Sequence, residues 1–314
     1  MIYISAVGMI NALGNNTDEI AANLTRGIAP GMRPRANWLQ GHPPAVLAGV
    51  DGELPVIPQQ FSAHRSRNNQ LLLAALAQIQ PQVDDAIARF GRDRIAVVLG
   101  TSTSGLDEGD VHVDLMLNDK ESTDWRYPQQ ELGDPSRFLS HWLALDGPAF
   151  TLSTACSSSA RAIMSGRRLI ESGLVDIAIV GGADTLSRMP INGFHSLESL
   201  SPTRCQPFGR DRNGITIGEG AALMVLTREP QPIALLGVGE SSDAYHISAP
   251  HPQGEGAIRA IGQALNDAGM TPEHVGYINL HGTATPLNDQ IESNVVSTLF
   301  GDTVPCSSTK HLTG

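Results

Sequence analysis

The stretch Thr151-Leu152-Ser153-Thr154-Ala155-Cys156-Ser157-Ser158-Ser159 joins a strand to a helix, and its cysteine lies at the junction. Residues Ala149–Leu152 have a strand-like composition, and a helical pattern extends over residues 160–171. Backbone N–H groups and the macrodipole at the start of a helix favour a thiolate over a thiol. A lone cysteine is more often a buried, inert residue. Cys156 is therefore a candidate nucleophile only if a second element supports it.

That second element is His281-Gly282-Thr283-Ala284-Thr285, far along the chain. The apolar run 275–280 before it predicts a short buried strand, and residues 287–300 predict a helix after it. In open α/β sheets, chemistry collects just beyond the carboxyl ends of the strands. A histidine after a strand is by itself more often structural. Because Cys156 and His281 both follow predicted strands, together they indicate a nucleophile and its partner.

Strands that alternate with helices indicate an α/β protein with mostly parallel sheets covered on both faces. The first strand is predicted at residues 2–7, and a helix with Thr17 as its N-cap follows at 18–26. A single long helix is predicted over residues 68–90. After Pro230 and Pro232 a second cycle begins with a strand at 233–241, which divides the chain into residues 1–229 and 230–314.

Composition limits the classes of function. The formal net charge of the 314 residues is −11 and no basic run occurs, which argues against nucleic acid as a partner. No apolar run is long enough for a membrane span, and the first residues do not form a charged leader. The three cysteines are widely spaced and form neither a metal-type pair nor a disulfide framework. We therefore expect a cytoplasmic protein without a metal or cofactor.

The two motifs and several further segments resemble the β-ketoacyl-acyl-carrier-protein synthases, the condensing enzymes of fatty-acid and polyketide synthesis. The matching segments follow the family's order and cover nearly the whole chain. They are residues 98–105 (VLGTSTSG), 176–184 (DIAIVGGAD), 207–214 (PFGRDRNG), 218–222 (GEGAA) and 307–314 (SSTKHLTG).

The resemblance implies a thiolase-like fold, in which two similar α/β halves stack into a five-layered αβαβα arrangement. Residues 1–229 would form the half that carries the nucleophile, and residues 230–314 an incomplete second half that carries the histidine and lysine motifs. In the family, a second catalytic histidine follows the glycine that here is Gly314, and His311 does not occupy that position. We expect partial activity at best from this chain, with condensation more impaired than acyl transfer.

The resemblance also implies roles for individual residues. Cys156 would accept an acyl chain from a thioester. His281 would hydrogen-bond the carbonyl of a malonyl thioester and stabilise the enolate left by loss of carbon dioxide. Lys310 and Glu292 match a supporting pair that holds the geometry of the site, and Asp289 is a weaker candidate for the same network.

Two residues of the 207–216 loop are candidates for an acyl pocket. Phe208 lies in the loop motif, and Ile215 stands where the family commonly has a phenylalanine, so that a smaller side chain could reshape the pocket. A phenylalanine beside a proline is more often simply part of a core. For Ile215, a changed pocket and mere repacking of the loop are equally good interpretations.

The partner implied by the resemblance is an acyl carrier protein that presents acyl and malonyl thioesters. Arg65 and Arg67 are candidates for a local basic patch, although an ordinary solvated helix start explains them as well. A homodimer or a ketosynthase-type heterodimer is implied, with its interface beside residues 149–153. Two alternative functions are a non-catalytic chain-length partner, which usually lacks the cysteine, and another thiolase-like acyltransferase.

Overall fold

The computed structural model describes residues 1–120, 125–246 and 249–314. Its strands are β1 Ile2–Asn11, β2 Met32–Arg35, β3 Ala45–Ala48, β4 Ile95–Gly100, β5 Ala149–Leu152, β6 Ile177–Asp184, β7 Ile217–Gly218, β8 Gly220–Thr227, β9 Ile233–Leu235, β10 Ile278–Asn279 and β11 Cys306–Ser307. Its α-helices are α1 Thr17–Arg26, α2 Arg67–Ala77, α3 Gln80–Phe90, α4 Leu106–Leu117, α5 Asp134–Trp142, α6 Ser158–Glu171, α7 Arg188–Ser196, α8 Glu255–Ala268, α9 Pro286–Phe300 and α10 Lys310–Thr313. Both kinds of element alternate along the chain, as the sequence predicts.

A six-stranded mixed sheet organises the first half, in the order β5-β4-β6-β8-β1-β9. Strands β5, β4 and β6 are parallel to one another, whereas β8 is antiparallel to both β6 and β1. The carboxyl ends of β4, β5 and β6 therefore meet at one edge of the sheet, which is where the cysteine segment begins.

Both faces of this sheet are buried, as expected for parallel strands covered by helices. Every residue of β4 is buried, and successive side chains point to opposite faces. Val97 and Leu99 belong to a core shared with α2, α3 and α5. Ala96 and Val98 belong to a second core, which they share with α6. The helix that follows Cys156 is thus the one packed on the second face.

Ion pairs connect α6 to the part of the chain after residue 230. Arg161 and Arg168 both contact Glu240, at 2.8 and 3.0 Å between the nearest nitrogen and oxygen atoms. Arg167 contacts Asp267 at the end of α8. Helix α6 therefore lies between the six-stranded sheet and the second half, in which β10 and β11 form a short parallel pair.

Several predicted elements are wrong in their bounds. The buried strand predicted at 275–280 is the two-residue β10, in which Asn279 is exposed, and the strand predicted at 2–7 continues to Asn11. The helix predicted over 68–90 is two helices, because Pro81 at the start of α3 has no N–H to continue α2. The N-cap of α1 is Asn16, whose side chain accepts a hydrogen bond from the N–H of Glu19 at 2.9 Å. The strand predicted at 233–241 ends at Leu235.

The strand ends there because the backbone beyond it bonds to helix α8. The N–H of Val238 donates to Asp267 at 2.9 Å, and the N–H of Glu240 donates to Gln263 at 3.2 Å. Strand β9 pairs with β1, so the six-stranded sheet extends beyond residue 230. The division into residues 1–229 and 230–314 stays a prediction. None of the helices in the described parts of the chain is long and apolar enough to cross a membrane.

Candidate active site

Cys156 lies in a tight turn between β5 and α6. The residue before it, Ala155, has a φ of 53°, a left-handed conformation that is costly for a residue with a Cβ atom. Ser158, the first residue of α6 and 3% exposed, stabilises this turn. Its hydroxyl accepts from the N–H of Thr154 at 2.9 Å and donates to the carbonyl of Ala155 at 2.6 Å. The turn thus leaves Cys156 exposed at the end of the sheet.

Two glycines at the strand ends allow α6 to approach the sheet closely. A Cβ atom on Gly100, the last residue of β4, would lie 2.4 Å from backbone atoms of Ser158 and Ser159. A Cβ on Gly182 of β6 would lie 2.3 Å from the Ser159 hydroxyl. Any other residue at these positions would push the start of the helix away. The glycines of the two sequence motifs therefore set the position of Cys156.

His281 follows β10, and its loop is held by one carboxylate. Glu292 of α9 accepts the backbone N–H of His281 at 2.7 Å and that of Gly282 at 2.9 Å. Gly282 has a φ of 50°, and a Cβ there would lie 2.4 Å from the side chain of Ser308. Because both amides point into Glu292, the backbone of the loop is fixed and the imidazole is free to reach the cysteine.

Lys310 and Glu292, the supporting pair that the resemblance implies, do not form an ion pair with each other in the described part of the chain, and their supporting role stays a prediction. The Glu292 carboxylate is instead occupied by backbone amides and by the side-chain amide of Asn288, at 3.4 Å. Lys310 lies at the start of α10, and burial lowers the pKa of its ammonium, while the nearby thiols of Cys205 and Cys156 act in the opposite direction. The charge of Lys310 is therefore felt at Cys156, whose pKa it helps to lower.

The side chains of Cys156 and His281 interact electrostatically. This contact is the main cause that lowers the pKa of the Cys156 thiol, and the charges of His281 and Lys310 lower it further. The same contact raises the pKa of the His281 imidazole, against desolvation and the charge of Lys310. The pair therefore favours a thiolate beside an imidazolium, which is the reactive form of a cysteine nucleophile.

Of the acyl-pocket candidates, the structure places Phe208 near the histidine loop. Its Cε2 atom would be 3.0 Å from a Cβ on Gly282. Ile215 is buried, and its backbone bonds to Ser199 and Ser201 in a short bridge. Their participation in an acyl pocket stays a prediction.

Arg67 does not provide a free basic patch. Its guanidinium makes a bidentate contact with Glu219, with N–O distances of 2.7 and 2.8 Å, and Glu219 is 4% exposed. Glu219 also accepts the N–H of Val50 at 2.8 Å. The pair therefore cross-links α2 to the segment before β8. Arg65 donates to Gln59 at 3.1 Å.

Asp184 is a residue that the sequence reasoning missed. One of its carboxylate oxygens accepts the N–H of Ser102 at 2.6 Å and both the N–H and hydroxyl of Thr103 at 3.0 Å. Asp184 thereby ties the end of β6 to the loop after Gly100. The position of Asp184, directly after Gly181-Gly182-Ala183 at the carboxyl end of β6, could have identified it as a candidate.

The arrangement brings together an activated thiol, an imidazole and a half-buried ammonium at the ends of parallel strands. Comparisons with known proteins identify the class of protein that this site belongs to. Residues 1–231 match the family model "Beta-ketoacyl synthase, N-terminal domain", and residues 233–314 match "Beta-ketoacyl synthase, C-terminal domain". The chain belongs to the β-ketoacyl synthase family, a family of condensing enzymes with a thiolase-like α/β fold.

Relatives of known name agree with this assignment. The chain is 29% identical to the 3-oxoacyl-[acyl-carrier-protein] synthase 2 of Synechocystis sp., over all of this chain and 80% of the relative. It is also 29% identical to the synthase of the same name from Staphylococcus aureus, over all of this chain and 81% of the relative.

Solved structures extend the comparison. One is described as the ketosynthase ApeO in complex with its chain length factor ApeC from Xenorhabdus doucetiae. A chain of this complex is 69% identical, with a TM-score of 0.98 over all of this chain and 79% of that chain. The ishigamide ketosynthase/chain length factor is 28% identical, with a TM-score of 0.88 over all of this chain and 81% of that chain.

Proposed function

We propose that this protein catalyses a decarboxylative Claisen condensation, in which an acyl-enzyme thioester reacts with a malonyl-carrier-protein to give a β-ketoacyl-carrier-protein. The observation that carries the proposal is that Cys156, at the turn between β5 and α6, and His281, after β10, lie close enough for their side chains to interact although they come from opposite halves of the chain. The interaction joins residues that follow two different strands, and it lowers the pKa of the thiol. Both features support nucleophilic catalysis rather than a structural role.

In the first step, the Cys156 thiolate attacks the carbonyl carbon of an acyl thioester. The C–S bond to the carrier breaks, and the carrier thiolate takes a proton from the His281 imidazolium and leaves as a thiol. The backbone N–H of Cys156 is the proposed donor to the oxyanion of the tetrahedral intermediate. Such preorganised donors can contribute several kcal/mol to the stability of that intermediate.

Acylation changes the charge of the site and prepares the second step. The thiolate that raises the pKa of His281 is then lost, whereas desolvation and the charge of Lys310 still lower that pKa. A neutral imidazole results, which can donate its N–H to the carbonyl oxygen of the malonyl thioester. Loss of carbon dioxide leaves an enolate, whose carbon attacks the acyl carbonyl and expels the Cys156 thiolate.

The partners belong to the same proposal. Relatives are named for acyl carrier protein as substrate carrier, and two similar structures are complexes of a ketosynthase with a chain length factor. Strand β5 is an edge of the six-stranded sheet, and Phe150 on it is 36% exposed. We assign this edge to a dimer with a second thiolase-like chain. All three cysteines are free thiols, which fits the reducing environment of the cytoplasm.

Intact-protein mass spectrometry after incubation with an acyl-carrier-protein thioester tests the nucleophile. We expect a single acyl adduct on the wild type and on Cys306→Ala, a matched control because Cys306 is also an exposed free thiol. Cys156→Ala should show no adduct. Release of carbon dioxide from a malonyl-carrier-protein by the acylated protein, and its loss in His281→Ala, tests the second step.

The outcomes separate the candidate functions. A folded wild type that copurifies with an intact ketosynthase but never becomes acylated would replace the proposal with a non-catalytic partner subunit. Acylation from acyl-coenzyme A without any use of malonyl donors would indicate another thiolase-like acyltransferase.

A further inference from the structure

A cavity of about 410 Å³ lies between the start of α2, the first half of α4 and residues 125–129. Small-molecule sites in proteins commonly measure about 300–1,000 Å³. Ser66 and Gln129 line the cavity and are almost fully buried, with 2% and 3% of their surfaces exposed. Neither Cys156 nor His281 is among the described residues that line it. The cavity is therefore separate from the candidate active site and large enough for a small molecule.

Two side chains of the cavity wall each have a buried polar atom without a hydrogen-bond partner in the described part of the chain. The atoms are Nε1 of Trp125 and Oε2 of Glu108. Nearly all buried polar atoms in proteins have a partner, so each exception calls for an explanation such as a bound molecule. An indole N–H can only donate, and an ionised carboxylate oxygen can only accept. A ligand that satisfies both atoms must therefore offer one acceptor and one donor.

The two side chains are held in place by the protein itself. Oε1 of Glu108 accepts the backbone N–H of Arg67, the first residue of α2, at 2.6 Å. The indole of Trp125 stacks on the imidazole of His112 in α4, with ring centroids 4.2 Å apart and planes inclined by 14°. Burial is the main cause that raises the pKa of the Glu108 carboxyl, and the N–H of Arg67 acts in the opposite direction. A ligand that donates to Oε2 would replace the solvation that this carboxylate has lost.

The charged groups of the wall favour a neutral ligand. The other charged side chains that line the cavity have partners: Arg65 with Gln59, Arg67 with Glu219, and Asp107 with Arg188. An anionic ligand would lie against the carboxylate of Glu108, and a cationic group would leave the indole N–H of Trp125 without an acceptor. A carboxamide is uncharged and has a carbonyl acceptor beside an N–H donor. It therefore matches both unpartnered atoms.

We propose that this cavity binds a small neutral molecule that carries a carboxamide group. The amide carbonyl accepts the indole N–H of Trp125, and the amide N–H donates to Oε2 of Glu108. The body of the ligand lies against Val111 of α4, an apolar side chain that is 45% exposed and lines the cavity. The proposal does not depend on the proposed condensation, because the site uses neither the Cys156 thiol nor the His281 imidazole.

Binding of benzamide to the full chain, labelled with ¹⁵N in its tryptophans, tests the site. The chain has three tryptophans, and Trp125→Phe assigns the indole N–H signal of Trp125. Benzamide should move this signal downfield, because the N–H gains an acceptor, and should leave the other two unchanged. A mildly alkaline pH favours the ionised form of Glu108. Acetophenone, which has the same carbonyl but no N–H, should bind about 10-fold more weakly, since Oε2 stays without a donor.

Glu108→Gln should change which ligand the cavity prefers. The glutamine oxygen can keep the hydrogen bond from the N–H of Arg67, so that the NH₂ group takes the place of Oε2. The cavity then offers two donors, and benzoate should bind about 10-fold more tightly than it does to the wild type, while benzamide binds more weakly. Asp114→Asn is the matched control, because Asp114 is an exposed carboxylate of the same helix outside the cavity. It should leave the order of the ligands unchanged.

An indole signal of Trp125 that does not move at millimolar benzamide would mean that the cavity holds water only, and the inference would be wrong. A shift in the wild type with the same order of ligands in Glu108→Gln would also overturn it, since Glu108 would then not recognise the ligand. If Glu108→Gln does not fold, the wild type decides. Preference for benzamide over both acetophenone and benzoate supports the inference, and equal binding of the three refutes it.

Discussion

Replacing Gly100 by alanine tests whether close packing of α6 against the six-stranded sheet positions Cys156. The added Cβ would lie 2.4 Å from the carbonyl carbon of Ser158 and the nitrogen of Ser159, and both are backbone atoms. Ordinary van der Waals contact begins near 3.4 Å, so the start of α6 has to move by about 1 Å. Overpacking of this size costs about 1–3 kcal/mol. A displacement of about 1 Å at a reacting group can lower its rate about 100-fold.

The assay measures the rate of acyl-adduct formation on Cys156 together with the thermal unfolding midpoint. We expect the acylation rate of Gly100→Ala to fall by about two orders of magnitude. The midpoint should fall by about 2–5 °C. Gly262→Ala is the matched control, since a Cβ there meets no atom within 4 Å in the interior of α8. If a folded Gly100→Ala protein forms the acyl adduct at the wild-type rate, close approach of α6 does not position the sulfur of Cys156.

Three further predictions concern the Cys156 thiol, the exposed edge of β5 and the ion pair between Arg67 and Glu219. In His281→Ala, the pH midpoint of Cys156 alkylation should rise, because the interaction with His281 that chiefly lowers the pKa of the thiol is lost. In Phe150→Asp, the charge on the exposed edge of β5 should convert a dimer to monomers, measured by light scattering after gel filtration. In Arg67→Ala, the buried Glu219 loses a partner whose side chain is 40% exposed and partly screened by solvent, which should lower the free energy of unfolding by about 1–3 kcal/mol in urea titrations.

Each of these predictions has a control or a contrary result. Val56→Asp changes a side chain that is 82% exposed in a loop and should leave the oligomeric state unchanged. Arg33→Ala removes an exposed pair with Asp51 and should cost no more than about 1 kcal/mol. An alkylation midpoint in His281→Ala equal to that of the wild type would contradict the proposed thiol activation.

The sequence predicted the elements that carry the chemistry because each has a local signature. The strand Ala149–Leu152 is predicted with the bounds that the structure shows. The cysteine and histidine motifs were placed after strands and do meet in space. The periodicity of apolar residues and the glycines and prolines of the loops predict where strands and helices begin and end, because these signals depend only on neighbours along the chain.

The hydrogen-bond partners of the acidic residues depend on contacts between distant parts of the chain, which the pattern of apolar residues does not predict. The family resemblance implies a supporting pair of Glu292 and Lys310, but it does not show that the Glu292 carboxylate accepts two backbone amides. Asp289 was ranked below Glu292, although it is the more deeply buried of the two and accepts the backbone N–H groups of Phe208 and Ala284. A backbone N–H is present at nearly every residue, so the sequence cannot show which one a carboxylate will accept.

Strand β9 has a practical consequence for anyone who divides this chain. Ile233–Leu235 pairs with β1 and forms one edge of the first sheet, although it belongs to the segment that matches the second family model. A fragment that ends at residue 229 would leave β1 with unpaired backbone groups along one side, and exposed strand edges promote aggregation. Expression of the nucleophile-bearing half by itself should therefore continue at least through Leu235.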